Sequence, residues 1–154
     1  MSTLSTGRVR AWQRIGRQSG RDGFLAHWKV HFRSGPSDVF RALSTPAGRS
    51  RFWAVEAGEA DGVIRFALPD GRTDDARVEE AVQDRLYRLR YFGSTWTFTL
   101  VPDESGGTDL TLSCDDAQDG SDHVSLLLRL KASVDFGVDL RNHDDGRTAA
   151  YVDS

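Results

Sequence analysis

Residues 126–143, LLLRLKASVDFGVDLRNH, carry two conflicting patterns, and the choice between them decides the fold. From Leu130 to Leu140 apolar and polar residues alternate, which is typical of a half-buried strand. The same stretch repeats apolar residues every four positions, which is typical of a helix that is apolar on most sides. The helical rows are Leu126, Leu130, Val134 and Val138, and Val124, Leu128, Ala132, Phe136 and Leu140.

Residues 24–53 predict one strand followed by two short helices. The segment FLAHWKVHFR, residues 24–33, places its apolar residues on one face, as a half-buried strand does. In SGPSDVFRALSTPAGRSRFW, residues 34–53, Pro36 and Pro46 occupy first helical positions with Ser or Thr caps just ahead. The segment therefore predicts a helix from each proline.

Residues 54–115 predict a series of about six antiparallel strands. The Asp61-Gly62 pair indicates a hairpin turn, and Val78 and Val82 are expected to point inward from one polar strand. Strand runs with helices at their margins indicate an α+β domain. One face of this sheet would collect nearly all the aromatic residues, and an apolar sheet face needs a cover.

Only residues 121–143 are long enough to cover such a sheet, so we predict a helix there. Ser121 can act as its N-cap, and Asp122 would lie at the positive end of the helix dipole. Gly137 would cost about 1 kcal/mol within a helix, which packing must offset. On this prediction the alternation is accidental, because both sides of the helix are buried.

Length, charge and composition exclude several classes of protein. The chain has 154 residues and a net charge of -3, so no general attraction to nucleic acid is expected. We expect a basic extension over residues 1–22 and one domain over residues 23–154. Cys114 is the only cysteine, which excludes an intrachain disulfide. The first residues lack a signal-peptide pattern and no apolar run approaches the roughly 20 residues of a membrane span, so we expect a soluble, cytoplasmic protein.

No catalytic or cofactor motif stands out. The chain lacks a G-x-S-x-G elbow, a P-loop and an H-E-x-x-H pair, so no catalytic residue and no cofactor is predicted. His27 and His31 share the polar face of the first strand without an obvious third ligand, so no metal site is predicted.

Three stretches together resemble the START-like superfamily, also called SRPBCC or Bet v 1-like. They are SGPSDVFRALSTPAGRSRFW, STWTFTLVPDESGGTDLTLSC and LLLRLKASVDFGVDLRNH, and the resemblance spans residues 23–154. The branch it is most similar to comprises bacterial relatives of the Hsp90 ATPase activator C-terminal domain. The resemblance implies a helix-grip fold, in which a curved antiparallel sheet of about seven strands grips a long C-terminal helix with a cavity between them.

The resemblance implies a binding scaffold rather than one activity. Members carry lipids, steroids, hormones and polyketides; others are aromatase/cyclases or co-chaperones, and one bacterial group, which this chain also resembles, protects antibiotic producers against products such as enediynes. The candidate ligand site comprises residues expected at the cavity, although each aromatic alone also suits a simple core. They are Trp28, Phe32, Trp53, Tyr87, Tyr91, Trp96, Phe98, Phe136 and Gly137. Gly137 carries a further hypothesis, because an uncovered glycine Cα is where a diradical drug would abstract hydrogen.

These features leave three functions open. The first is non-catalytic binding of a hydrophobic, aromatic small molecule, a natural product or a lipid, including antibiotic self-resistance by sequestration or self-sacrifice. The alternative is a polyketide cyclase or aromatase, which needs a polar pair such as Tyr87 or Tyr91 with Arg65 or Arg141. The second alternative is an Hsp90 co-chaperone. The sequence leaves the oligomeric state open.

Overall fold

A computed structural model describes residues 25–115, 120–148 and 150–153. Within these residues the chain forms seven strands and three helices. In chain order they are β1 (Leu25–Phe32), α1 (Pro36–Ser44), α2 (Pro46–Arg49), β2 (Glu56–Ala60), β3 (Val63–Ala67), β4 (Thr73–Val82), β5 (Leu86–Tyr91), β6 (Ser94–Pro102), β7 (Thr108–Asp115) and α3 (Ser121–Phe136). The predicted basic extension, residues 1–22, lies outside the described residues.

The strands form one curved antiparallel sheet in the order β1-β7-β6-β5-β4-β3-β2. The concave face packs against the helices, so the predicted α+β helix-grip fold is confirmed. The alternation in β5, β6 and β7 buries one face of each strand. The buried residues are Tyr87, Leu89, Tyr91, Trp96, Phe98, Leu100, Leu110, Leu112 and Cys114. No helix in the described part of the chain is long and apolar enough to cross a membrane.

The local signals at the helices and turns are largely confirmed. Pro36 and Pro46 each start a helix, and the Thr45 hydroxyl caps α2 by accepting a hydrogen bond from the Gly48 N–H at 3.0 Å. The cap predicted ahead of Pro36 is wrong, because Gly35 is the N-cap of α1 and no described side chain caps that helix. Asp61 and Gly62 both have positive φ, 53° and 77°, as a two-residue type I′ hairpin requires.

The inward orientation predicted for Val82 is wrong, whereas Val78 packs against the core. The pairing register shifts between Val78 and Glu80, so β4 carries one extra residue opposite β5. An extra residue reverses the faces of all later side chains in a strand. Ala81 is therefore opposite Tyr87, and Val82 is 39% exposed.

The disputed stretch is helical only as far as Phe136, so the predicted end at residue 143 is wrong. Gly137 adopts a left-handed conformation with φ of 65°, and its N–H donates to the Ser133 carbonyl at 3.0 Å. The Val138 N–H donates to the Ala132 carbonyl at 3.0 Å, which completes a Schellman-type ending. The predicted N-cap is also displaced by one residue, because Gly120 rather than Ser121 occupies that position.

The last turn of α3 is fastened to the loop between β1 and α1. The Asp135 carboxylate accepts the backbone N–H groups of Arg33 and Ser34 at 2.9 and 3.1 Å, and the Ser34 hydroxyl at 2.8 Å. Burial alone would raise the pKa of Asp135, but these donors reverse the effect and lower it. These hydrogen bonds attach the C-terminal end of α3 to the chain that follows β1.

Candidate functional site

Trp53, in the turn after α2, is the centre of an aromatic cluster on the concave face. The ring centroids of Phe66, Tyr91 and Phe98 lie 4.8, 5.4 and 5.9 Å from its own. Its Nε1–H donates to the Tyr91 hydroxyl at 3.1 Å. Tilted and edge-to-face pairs of this kind add about 0.5–1.5 kcal/mol each beyond their burial. The interior between sheet and helix is therefore filled by interlocked rings.

A buried arginine closes the end of the interior next to α2. The Arg49 Nη1 donates to the Leu43 carbonyl at 3.1 Å and to the Tyr87 hydroxyl at 3.3 Å. Nε and Nη2 donate to the Ala57 carbonyl at 3.3 and 3.0 Å, and Nη2 forms an ion pair with Glu59 Oε1 at 3.3 Å. We call Arg49, Tyr87, Glu59 and these two carbonyls the closed end.

The two interior tyrosines keep their protons at neutral pH. Burial raises the pKa of Tyr87 to about 12, although the charge of Arg49 opposes the shift. Burial also raises the pKa of Tyr91 far above its ordinary value. Neither phenol can therefore serve as a general base near neutral pH.

His123, in the first turn of α3, is stacked between two tryptophans. Its ring centroid lies 4.4 Å from that of Trp28 and 4.3 Å from that of Trp96, with interplanar angles of 14° and 22°. Gly120 allows this approach, since a Cβ there would lie 2.8 Å from Trp28 Cζ2. The stack fixes the N-terminal end of α3 against β1 and β6.

A small cavity of about 100 Å³ lies at the opposite end of the interior from Arg49 and is partly open to solvent. We call it the open end. Aromatic rings, the β3–β4 turn, α3 and the chain near residue 152 each form one wall. The aromatic wall consists of Trp53, Tyr91, Phe92 and Trp96, and the β3–β4 turn contributes Leu68, Asp70 and Arg72. Helix α3 contributes Asp122, Leu126 and Arg129, and the chain near residue 152 contributes Tyr151 and Val152. Ligand pockets usually measure about 300–1,000 Å³, so a polycyclic ligand requires this cavity to widen.

Arg129 is the buried cation of the open end, with 8% of its surface exposed. Its Nε donates to the Phe52 carbonyl at 3.0 Å, and Nη1 donates to the Ser125 hydroxyl at 2.5 Å and to the Val152 carbonyl at 3.3 Å. All three acceptors are neutral. Burial lowers the pKa of Arg129, although an arginine stays protonated at neutral pH.

The chain after α3 crosses the mouth of the open end. We call residues 138–148 and 150–153 the C-terminal segment. Arg141 attaches it to the body by donating to the Ala54 and Ser50 carbonyls, both at 2.9 Å. Arg141 also donates to the Asp139 carboxylate, and this hydrogen bond holds the pKa of Asp139 far below its usual range. The C-terminal segment is thus attached to the body by polar contacts.

Most residues predicted for the ligand site lie on the inner face. Phe32, Trp53, Tyr87, Tyr91, Trp96 and Phe98 are buried, and Trp28 is half-buried against His123. Among them only Trp53, Tyr91 and Trp96 line the cavity of the open end. Their role as ligand contacts stays a prediction.

Phe136 and Gly137 do not lie where the sequence placed them. Phe136 is 57% exposed, and the Arg33 guanidinium carbon lies 4.6 Å from its ring centroid. Gly137 ends α3 instead of lying within it, and no atom is within 4 Å of the position that a Cβ would take. The left-handed turn at Gly137 ends α3, so the longer helix on which both placements depended does not form.

The polar pairs considered for catalysis are also arranged differently. Tyr87 contacts Arg49 and Tyr91 contacts Trp53, whereas Arg65 is exposed and Arg141 binds backbone carbonyls. Across the described ranges, no group of three or more His, Cys, Asp or Glu side chains could hold a metal ion.

Sequence reasoning missed Arg49, Arg129 and the stacking of His123. Arg129 did carry a signal, because it interrupts the apolar run LLLRL at residues 126–130. Arg49 carried none, since an arginine in the polar segment GRSR is typical of an exposed turn. Its burial depends on carbonyls that only the folded chain brings together.

No family model and no curated protein matches the chain. Solved structures match it at identities that reflect the fold alone. SSP2350 from Staphylococcus saprophyticus aligns with a TM-score of 0.68 at 20% identity, covering 77% of this chain and 96% of that one. Aha1 from Colwellia psychrerythraea, solved as a dimer, aligns with a TM-score of 0.66 at 16% identity over 73% and 97% of the two chains. DynU16, from the dynemicin biosynthetic locus, aligns with a TM-score of 0.64 at 18% identity over 77% of this chain and 50% of its own. These neighbours support the helix-grip fold.

Proposed function

We propose that this protein binds a hydrophobic, aromatic small molecule at the open end and does not transform it. The observation that carries the proposal is the convergence of Trp53, Tyr91 and Trp96 on one partly open cavity. Flat aromatic walls with a few polar groups are the usual lining of a small-molecule site. Burial raises the pKa of Tyr91 far above its ordinary value, so its phenol cannot serve as a general base near neutral pH.

Binding requires the C-terminal segment to move. The cavity of about 100 Å³ holds a few water molecules rather than a fused ring system. Tyr151 and Val152 form the outer wall, and both are more than half exposed. Their displacement would extend the cavity outward without disturbing the packed rings beneath.

A fluorescence titration tests the proposal. N-phenyl-1-naphthylamine is neutral, and its emission rises in apolar surroundings. The full chain is expected to give a saturable rise, and Leu68→Trp is expected to abolish it, because a larger ring there fills the cavity from the β3–β4 turn. Val101→Trp adds the same ring at a 54% exposed position on β6 and should leave the response unchanged.

Two results would overturn this function. One is the lack of any saturable response to the naphthylamine, to a larger neutral probe such as anthraquinone and to an aromatic carboxylate such as 2-naphthoate. The other is an equal response from the Leu68→Trp and Val101→Trp variants, which would place binding elsewhere on the molecule.

We propose further that the natural ligand is a natural product or a lipid, bound in the cytoplasm, with self-resistance by sequestration as one specific case. The fold shared with DynU16, from the dynemicin locus, supports that case. Self-sacrifice at Gly137 gains no support, because this glycine lies outside the open end. Exposing the chain to an activated enediyne tests self-sacrifice directly, and unmodified glycines would exclude it.

The two alternatives are less well supported. A cyclase or aromatase needs a polar pair facing the ligand, whereas the hydroxyl of Tyr87 is held by Arg49 within the closed end. The co-chaperone alternative has only the fold shared with Aha1 in its favour. A pulldown with Hsp90 would test it.

A further inference from the structure

We propose that the ligand of the open end is an aromatic anion, a carboxylate or equivalent oxyanion on a flat hydrophobic ring system, and that Arg129 binds its charged group. This inference rests on the proposed function, because it names the chemical class of ligand for the same site. It is carried by a buried cation at the wall of an aromatic cavity.

Arg129 forms no ion pair within the part of the chain that the structure describes. Its acceptors are two backbone carbonyls and one hydroxyl, and its Nη2 makes no hydrogen bond to a described residue. A buried charge is expensive unless an opposite charge accompanies it. Arg129 is therefore available to pair with an anion at a place where the walls of the cavity are aromatic.

The acidic side chains that the structure describes near Arg129 do not form an ion pair with it, so Arg129 remains available to an anionic ligand. Asp70 is already paired with Arg72 at 2.9 Å. Asp122 and Asp153 act on Arg129 only at longer range, and both are exposed, so water screens them. Arg129, by contrast, is nine-tenths buried, where charges interact more strongly.

The carbonyl of Val152 marks the place of the anionic group. It accepts hydrogen bonds from the Arg129 Nη1 and from the Ser125 hydroxyl. If a carboxylate oxygen took this position, it would accept hydrogen bonds from both donors. The second oxygen of the carboxylate would lie on the side of Nη2, which makes no hydrogen bond to a described residue. Charge-assisted bonds of this kind are about twice as strong as neutral ones. The ligand would thus replace the C-terminal segment on Arg129 while its rings meet Trp53 and Trp96.

Isothermal titration calorimetry with a matched pair of probes tests the inference. 2-Naphthoate and 2-naphthamide share one ring system and differ in charge. The full chain is expected to bind the naphthoate at least about tenfold more tightly, which corresponds to about 1.4 kcal/mol. Arg129→Gln is expected to remove that preference while changing the affinity for the amide by less than about threefold.

Two further variants keep the test decisive. Arg129→Lys preserves the charge without the planar fork and should retain part of the preference. Arg77→Gln removes one positive charge from an exposed position on the outer face of β4, so it should leave the preference intact. If Arg129→Gln fails to fold, the wild-type preference and Arg129→Lys decide the question.

The outcomes separate the two proposals. If neither naphthalene compound binds, the proposed function fails. If both bind with equal affinity to the wild-type chain, or if Arg129→Gln keeps the preference, an aromatic ligand remains supported and the assignment of an anion to Arg129 is overturned.

Discussion

The two ends of the aromatic interior each contain a buried arginine and a buried tyrosine, yet they are built differently. At the closed end Arg49 donates five hydrogen bonds and pairs with Glu59. At the open end Arg129 donates three, all to neutral oxygens, and one of these acceptors belongs to the C-terminal segment. A satisfied polar network stabilises the fold, whereas an incompletely satisfied one beside a cavity is available for a ligand.

The largest expected effect is the loss of the closed-end arginine. Arg49→Met would leave the Leu43 and Ala57 carbonyls buried without their donor and Glu59 without its partner. We expect the free energy of unfolding to fall by about 3 kcal/mol or more, as measured by denaturant titration. Arg51→Met, at an exposed position in the following turn, should change it by less than about 0.5 kcal/mol. Similar losses in both variants would contradict the structural role of Arg49.

The two tyrosines give a direct test of the comparison. Tyr91→Phe removes the acceptor of the Trp53 indole N–H and should destabilise the protein by about 1–2 kcal/mol. Tyr87→Phe should cost about 0.5–1 kcal/mol, because Arg49 keeps its remaining acceptors. A larger loss from Tyr87→Phe would reverse the proposed difference between the ends.

The last prediction concerns alkaline pH, where burial raises the pKa of both interior tyrosines and a comparison with Tyr87→Phe isolates the one at the closed end. The pKa of Tyr87 is raised from 10.0 to about 12, so its stabilising contribution is complete below pH 10 and declines as the pH rises toward 12. The free energy of unfolding of the wild-type chain should therefore fall more steeply over this range than that of Tyr87→Phe. Parallel curves would show that Tyr87 titrates alike in the folded and unfolded chain.

The sequence predicted the sheet well because burial on one face leaves a period of two. Trp96, Phe98 and Leu100 alternate with threonines, and the structure buries all three. The orientation of Val82 could not be predicted in this way. The extra residue near Val78 depends on the pairing of β4 with β5 and does not change the local sequence pattern. Register shifts of this kind arise from tertiary contacts.

The site was harder to predict than the fold. The end of α3 had a signal in Gly137, but the apolar rows continue past it to Leu140 and favoured a longer helix. The size of the cavity could not be predicted, because it depends on how closely the rings around Trp53 pack. The burial of Arg129 follows from the carbonyls of Phe52 and Val152, which are distant in sequence.

The most direct test of the central claim is to locate a bound aromatic probe by its effect on tryptophan indole resonances. The full chain, labelled with ¹⁵N, would be titrated with 2-naphthoate. We predict shifts of the Trp53 and Trp96 indole N–H signals, with a smaller change at Trp28 on the far side of His123. Shifts confined to the exposed β2–β3 hairpin, or none at all, would contradict the claim that the open end is a ligand site.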